Sequence, residues 1–226
     1  MGGRDRFLAG EGSRNAGADS REYLFCPADF ERVRRLIYER AGINLNESKL
    51  NMVYSRLARR LRSLRIDSFA QYLDQLERDA AFSAAEAQQF INALTTNLTS
   101  FYREPHHFPV LAEYLRTKAS RGGARIWCSA SSTGEEPYTI AMTVLEAMGE
   151  NSGSRILATD IDTEVLSIAQ RGVYRLDTIK SCGDTRLRRF FLKGKGAQMG
   201  LARLRPEVTR LVEFAPLNLL DTTWPA

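Results

Sequence analysis

At 226 residues, 43% hydrophobic and 26% charged, the chain has the composition of an ordinary globular protein, long enough for one large domain or two smaller ones. No apolar run approaches the roughly 18 residues that span a membrane, and no apolar leader core opens the chain, so membrane insertion is not expected and a cytoplasmic location is. A net charge of +5 is mild for a nucleic-acid binder, and the three scattered cysteines and adjacent His106 and His107 match no metal-ligand spacing, so neither nucleic acid nor metal is expected.

Residues 1–22 are rich in glycine and charge and read as a disordered tail. Residues 23–95 read as a small all-α domain. FERVRRLIYERAG sets Phe30, Val33, Leu36 and Ile37 on one face, with Gly42 as a C-cap. LNMVYSRLARRLRSLRI carries the stripe Leu50, Val53, Leu57, Leu61 and Leu64, and its other faces hold Arg56, Arg59, Arg60, Arg62 and Arg65. Two further amphipathic helices follow in SFAQYLDQLERD and SAAEAQQFINAL.

After the polar stretch TTNLTSFYRE the pattern changes, and residues 96–226 read as an α/β unit. Pro105 starts a helix; ARIWCSA is an apolar strand, PYTIAMTVLEAMG a helix, RILATDID a strand and TEVLSIAQRGVY a helix, which implies parallel strands. Over about 177–209, two apolar runs flank a glycine-rich turn, as in an inserted antiparallel hairpin. RLVEFAPLNLL is a third parallel strand. Three strands leave the first with a bare apolar edge, and such edges are normally covered; a fold truncated at residue 226 is therefore expected.

The strand-to-helix corner WCSASSTGEEPYT is where such folds bring ligands. It has one glycine, Gly134, and two acids, Glu135 and Glu136, so it lacks the glycine set that admits a pyrophosphate. Asp160 ends the next strand, where an acid commonly holds ribose hydroxyls. A ligand with a ribose and a cationic end but no phosphate suits these carboxylates, and S-adenosylmethionine has that shape. Thr133-x-x-Glu136 also spells a capping box, so Glu136 has a structural reading too. The arginine-rich helix reads as a solvated face or as a dock for an acidic protein surface; it lacks the interleaved aromatics that stack on bases. The hairpin is either decoration or an edge for a partner peptide.

Together these segments resemble the chemotaxis receptor glutamate methyltransferases, the CheR family. The resemblance rests on INALTTNLTSFYREPHHFPVL, ASSTGEEPYTIA, LATDIDTEVLSIAQRGVY, VEFAPLNLL and IYERAGINL…MVYSRLARRLRSL. It implies a helical N-terminal domain and a Rossmann-like, here incomplete, S-adenosylmethionine-dependent methyltransferase domain with an inserted β-subdomain. The implied reaction moves a methyl group from S-adenosyl-L-methionine to receptor glutamates. The implied cofactor-contacting positions are Asn97, Thr99, Arg103, Glu136, Asp160, Asn218 and Leu219, with Arg103 also in the catalytic role. Arg56, Arg59, Arg60 and Arg62 would face the receptor, and the β-subdomain would grip a receptor C-terminal peptide in tethering members. A monomer is expected. Members continue past the NLL segment into a strand with an Arg-Asn pair, so a shortened chain has an alternative reading as a receptor-binding module without catalysis.

Overall fold

The computed structural model describes residues 21–118 and 122–224. Of the tail expected over 1–22, residues 1–20 lie outside the described residues. Arg21 and Glu22 lie along the second helix, with Arg21 Nη2 donating to Asn51 Oδ1 at 2.9 Å and Glu22 3.4 Å from Arg62.

Four helices form the first domain: α1 (Pro27–Ala41), α2 (Leu50–Leu64), α3 (Phe69–Arg78) and α4 (Ala80–Leu94). Proline in the first turn of α1 and left-handed Gly42 (φ 67°) after it mark its ends, because proline loses no helical hydrogen bond there and glycine tolerates positive φ. Ser68 and Asp79 cap α3 and α4 by accepting from the amides of Gln71 and Phe82. The predicted stripes meet in one core, where Val33, Ile37, Val53, Leu57, Leu61, Phe69, Tyr72, Leu73 and Phe90 are fully enclosed or nearly so.

The basic helix is less free than its charge pattern suggests. Arg60 makes a two-pronged pair with buried Glu86 (Nε to Oε1 2.9 Å, Nη2 to Oε2 2.6 Å), and the Tyr72 hydroxyl donates to the same carboxylate at 3.0 Å. Arg56 donates to the carbonyls of Ala93 and Thr95 at the end of α4. Arg59 and Arg62 remain exposed.

The second domain holds α5 (His107–Lys118), β1 (Arg125–Cys128), α6 (Glu135–Met148), β2 (Arg155–Asp160), α7 (Thr163–Arg171), β3 (Val173–Arg175), α8 (Gly183–Phe190), β4 (Phe191–Lys193), β5 (Leu201–Leu204), α9 (Pro206–Thr209) and β6 (Val212–Pro216). One sheet is parallel in the order β1-β2-β6, with Cys128 opposite Ala158 and Asp160 opposite Pro216. Cys128, Ile156, Ala158 and Phe214 pack with Tyr138, Ala141 and Leu145 of α6. The opposite face, with Trp127, Leu157, Ala215 and Trp224, is open. The second sheet is antiparallel in the order β3-β5-β4.

The fold is the expected α/β architecture, an all-α unit followed by a parallel-sheet unit with an antiparallel insertion. Two details differ. TEVLSIAQRGVY predicts one helix, but α7 stops at Arg171 because Gly172 turns left-handed (φ 58°) and Val173–Arg175 pair with β5. Helix α8, which the hairpin reading omits, buries Phe190, while its Arg186 pairs with Glu146 and stacks 4.3 Å from the Tyr102 ring.

Cys128 and Cys182 are buried, and burial pushes both thiols up to about 12, since the thiolate loses its hydration. Cys26 is half-exposed at the head of α1. At pH 8, a thiol reagent is expected to label Cys26 in the folded chain and all three cysteines in denaturant. Rapid native labelling of Cys128 or Cys182 would contradict this burial.

Candidate functional site

The site forms where the carboxyl ends of β1 and β2 meet the start of α6. Ser131 N donates to Thr159 O (2.9 Å), extending the β1–β2 pairing into the corner, and Gly134 N closes a tight turn onto Ser131 O (2.9 Å). Ser132 (φ 46°) and Gly134 (φ 96°) are both left-handed. A Cβ on Gly134 would lie 2.8 Å from both Ala169 Cβ and Tyr174 Oη, so the chain passes where only glycine fits. The Tyr174 hydroxyl pins the turn by donating to Thr133 O at 2.8 Å.

The capping box spelled by Thr133-x-x-Glu136 does not form. Gly134 is the N-cap of α6 and supplies no side chain, while Thr133 Oγ1 donates to Glu135 Oε2 at 2.6 Å. Glu135 is buried; Glu136 is exposed and lines a cavity of about 820 Å³. Asp160 closes the floor at the end of β2. It is 8% exposed, with Oδ2 accepting from Ser132 N (2.7 Å) and Oδ1 from Asp162 N (2.9 Å).

The linker between the domains forms another wall. Asn97 and Thr99 are half-buried, and Arg103 is exposed with Nη1 donating to Leu98 O at 3.0 Å. Tyr102 and Glu104 on either side of Arg103 have positive φ (55° and 52°), and Tyr102 N donates to Thr139 Oγ1 of α6 at 3.2 Å. Asn97, Thr99, Arg103, Glu136 and Asp160 thus line one cavity, completed by Leu45 and Met52 of the helical domain and by Phe108 and Ile140.

The other expected residues stand apart. Asn218 and Leu219 come after β6 and Leu217, whose N donates to Asp160 O at 3.0 Å, yet neither lines the cavity. Asn218 Nδ2 donates to Arg40 O at 2.7 Å, and Leu219 is 55% exposed. Arg56 and Arg60 are engaged within the helical domain as described. Two residues with site contacts escape the sequence reading. Ser132 joins Asp160 to the linker, its Oγ donating to Asn97 O at 3.0 Å. Asp162 accepts from Asn97 Nδ2 at 2.8 Å. An acid just before TEVL signals the cap of α7, but nothing in the sequence signals its second set of partners.

Residues 28–95 match the family model for the CheR methyltransferase all-alpha domain, and residues 97–226 match that for the CheR methyltransferase SAM binding domain. The chain belongs to the CheR methyltransferase family. It is similar to a chemotaxis protein methyltransferase of Salmonella typhimurium (51% identity over 195 residues, 86% of this chain and 66% of the relative). A relative of the same name in Escherichia coli is 50% identical over 194 residues (85% and 66%), and chemotaxis protein methyltransferase 2 of Pseudomonas aeruginosa is 48% identical over 207 (91% and 72%). The chain thus spans about two thirds of the length of these CheR relatives.

The cofactor of the CheR SAM binding domain is S-adenosyl-L-methionine. The residues present fit it. The cavity has the size of a small-molecule site, and two carboxylates stand where a phosphate-bearing ligand would be repelled. Among the described residues no cluster of three or more His, Cys, Asp or Glu is placed to hold a metal, and no helix is long and apolar enough to cross a membrane.

Proposed function

We propose that this CheR-family protein methylates glutamate side chains of chemoreceptors, as a cytoplasmic monomer using S-adenosyl-L-methionine. The observation that carries the reading is the convergence of Asn97, Thr99, Arg103, Glu136 and Asp160 on one cavity within the matched SAM binding domain.

When bound, the cofactor supplies a sulfonium methyl group that an oxygen nucleophile can take directly. A glutamate acceptor with a pKa near ~4.3 is already ionised at neutral pH, so the chain need provide no general base. Its residues bind, orient and exclude water. Glu136 would hold the cofactor's ammonium group and Asp160 its ribose hydroxyls, and the planar guanidinium of Arg103 would take a carboxylate, the cofactor's own or the acceptor's. Asn218 and Leu219, which do not line the cavity as it stands, would join the site from the segment that follows β6. On the outside, Arg59 and Arg62 present positive charge to an acidic receptor helix, with Arg56 and Arg60 fixing the helix that carries them. The open edge of the β3-β5-β4 sheet would take a receptor's C-terminal peptide by strand addition.

Titration calorimetry with S-adenosyl-L-methionine tests the cofactor site. Asp160→Asn is expected to weaken binding about 10–100-fold, the loss of one charged hydrogen-bonding group. Methyl label transferred to receptor membranes should be released by base as methanol, the mark of a carboxyl ester. Binding without transfer would sink the catalytic reading and leave a receptor-binding module.

A further inference from the structure

We infer that Asp162 is a positioning residue that holds the Asn97 segment of the linker in place as a wall of the cofactor cavity, an inference that rests on the S-adenosylmethionine reading of that cavity. Asp162 is 2% exposed and meets no cation among its hydrogen-bond partners. Its Oδ1 does the ordinary work of an N-cap, accepting from Glu164 N (2.9 Å) and Val165 N (3.2 Å) at the head of α7. Serine would do that as well. Its Oδ2 turns the other way and accepts from Thr95 Oγ1 (2.6 Å) and Asn97 Nδ2 (2.8 Å), and only a carboxylate offers two such acceptors at one cap.

These contacts close a ring. Asn97 O accepts from Ser132 Oγ (3.0 Å), Ser132 N donates to Asp160 Oδ2 (2.7 Å), and Asp162 N donates to Asp160 Oδ1 (2.9 Å). Asn97, Ser132 and Asp160 line the cavity, whereas Asp162 stands behind it. The ring draws its four members from the linker, the β1–α6 corner, the end of β2 and the head of α7, so it sets the spacing of three cavity walls. Around it, Gln88 donates to Ile161 O (2.8 Å) and Asn92 to Thr163 Oγ1 (3.1 Å), so the helical domain bears on the same junction. Without Asp162 Oδ2, the Thr95 hydroxyl is left with Asn92 O (2.9 Å) and the Asn97 amide with the longer contact to Thr95 Oγ1 (3.3 Å), so the segment leading to Thr99 and Arg103 is held more weakly, chiefly by Ser132 Oγ on Asn97 O.

The test compares Asp162→Ser, Asn97→Ala and the double variant in the full 226-residue chain. Calorimetry with S-adenosyl-L-methionine is expected to show about tenfold weaker binding for each single variant. If Asp162 acts through Asn97, the double variant is no worse than the weaker single one. Wild-type affinity in Asp162→Ser, or losses that simply multiply, would overturn the inference and leave Asp162 as a helix cap. Amide exchange judges the same point without ligand. Residues 97–103 should exchange faster in Asp162→Ser while the body of α7 does not, and unchanged exchange at 97–103 would overturn the inference. If the unaltered chain takes up no S-adenosyl-L-methionine, the cofactor reading fails by itself, and the exchange result still decides what Asp162 holds.

Discussion

Replacing Arg60 with alanine is expected to cost about 2–3 kcal/mol of stability, below the roughly 3–5 of a fully buried ion pair, because Glu86 is buried but Arg60 is 25% exposed. Glu86 is 4% exposed, and both of its oxygens are committed, Oε1 to Arg60 Nε and the Tyr72 hydroxyl, Oε2 to Arg60 Nη2. Burial first, and then the adjacent Glu86 charge, hold the Tyr72 phenol well above its usual range, so it stays protonated and keeps donating. It cannot neutralise the carboxylate. With Arg60 gone, a charge is left inside the helical core with one neutral donor. Replacing both partners, Arg60→Met with Glu86→Leu, removes the stranded charge and should recover most of the loss. Arg59→Ala, one turn-face away and exposed, should stay within about 0.5 kcal/mol of the parent. Urea unfolding followed by circular dichroism measures all three. A loss below about 1 kcal/mol for Arg60→Ala would mean that the pair is a surface contact.

Gly134→Ala is the second large effect, expected to cost about 2–5 kcal/mol and to abolish binding at the corner. A left-handed backbone costs a non-glycine residue about 1–2 kcal/mol. The added methyl would also sit 2.8 Å from Ala169 Cβ and Tyr174 Oη, an overpacking worth about 1–3 kcal/mol. Tyr174 cannot retreat freely because its hydroxyl donates to Thr133 O in the same turn. Relief must therefore come from shifting residues 131–136, which carry the Ser132 amide onto Asp160 and aim Glu136 at the cavity. Calorimetry on Gly134→Ala at a temperature where it remains folded separates the two losses; parent-like affinity would mean that the turn adapts without moving the site.

What the sequence shows and hides follows from which forces act locally. The helical domain was legible because Val53, Leu57 and Leu61 repeat at helical spacing and bury as that spacing requires. The β4–β5 hairpin was legible because two apolar runs flank a glycine-rich turn. Glu136 was half legible: its pattern fits a cap, and only the left-handed Gly134, which takes the cap position itself, frees the carboxylate for the cavity. Charge was the least local signal. Four arginines on α2 look alike in one dimension, but Arg60 finds Glu86 across 26 positions and Arg56 finds the end of α4, leaving Arg59 and Arg62 outward. Asn218 and Asp162 show the same limit, since their partners Arg40 and Asn97 lie far away in the chain.

The open face of the parallel sheet gives the molecule an optical label. Both tryptophans of the chain sit there, with ring centres 5.4 Å apart, and the helical domain has none. Indole emission therefore reports on the sheet domain alone, and far-ultraviolet ellipticity is weighted towards the helices. Trp127 Nε1 donates to Thr159 Oγ1 at 3.0 Å, one residue before Asp160, and Thr159 O receives the amide of Ser131 in the corner. The fluorophore is wired by two hydrogen bonds to the turn that shapes the cavity, on the far side of the strand from it.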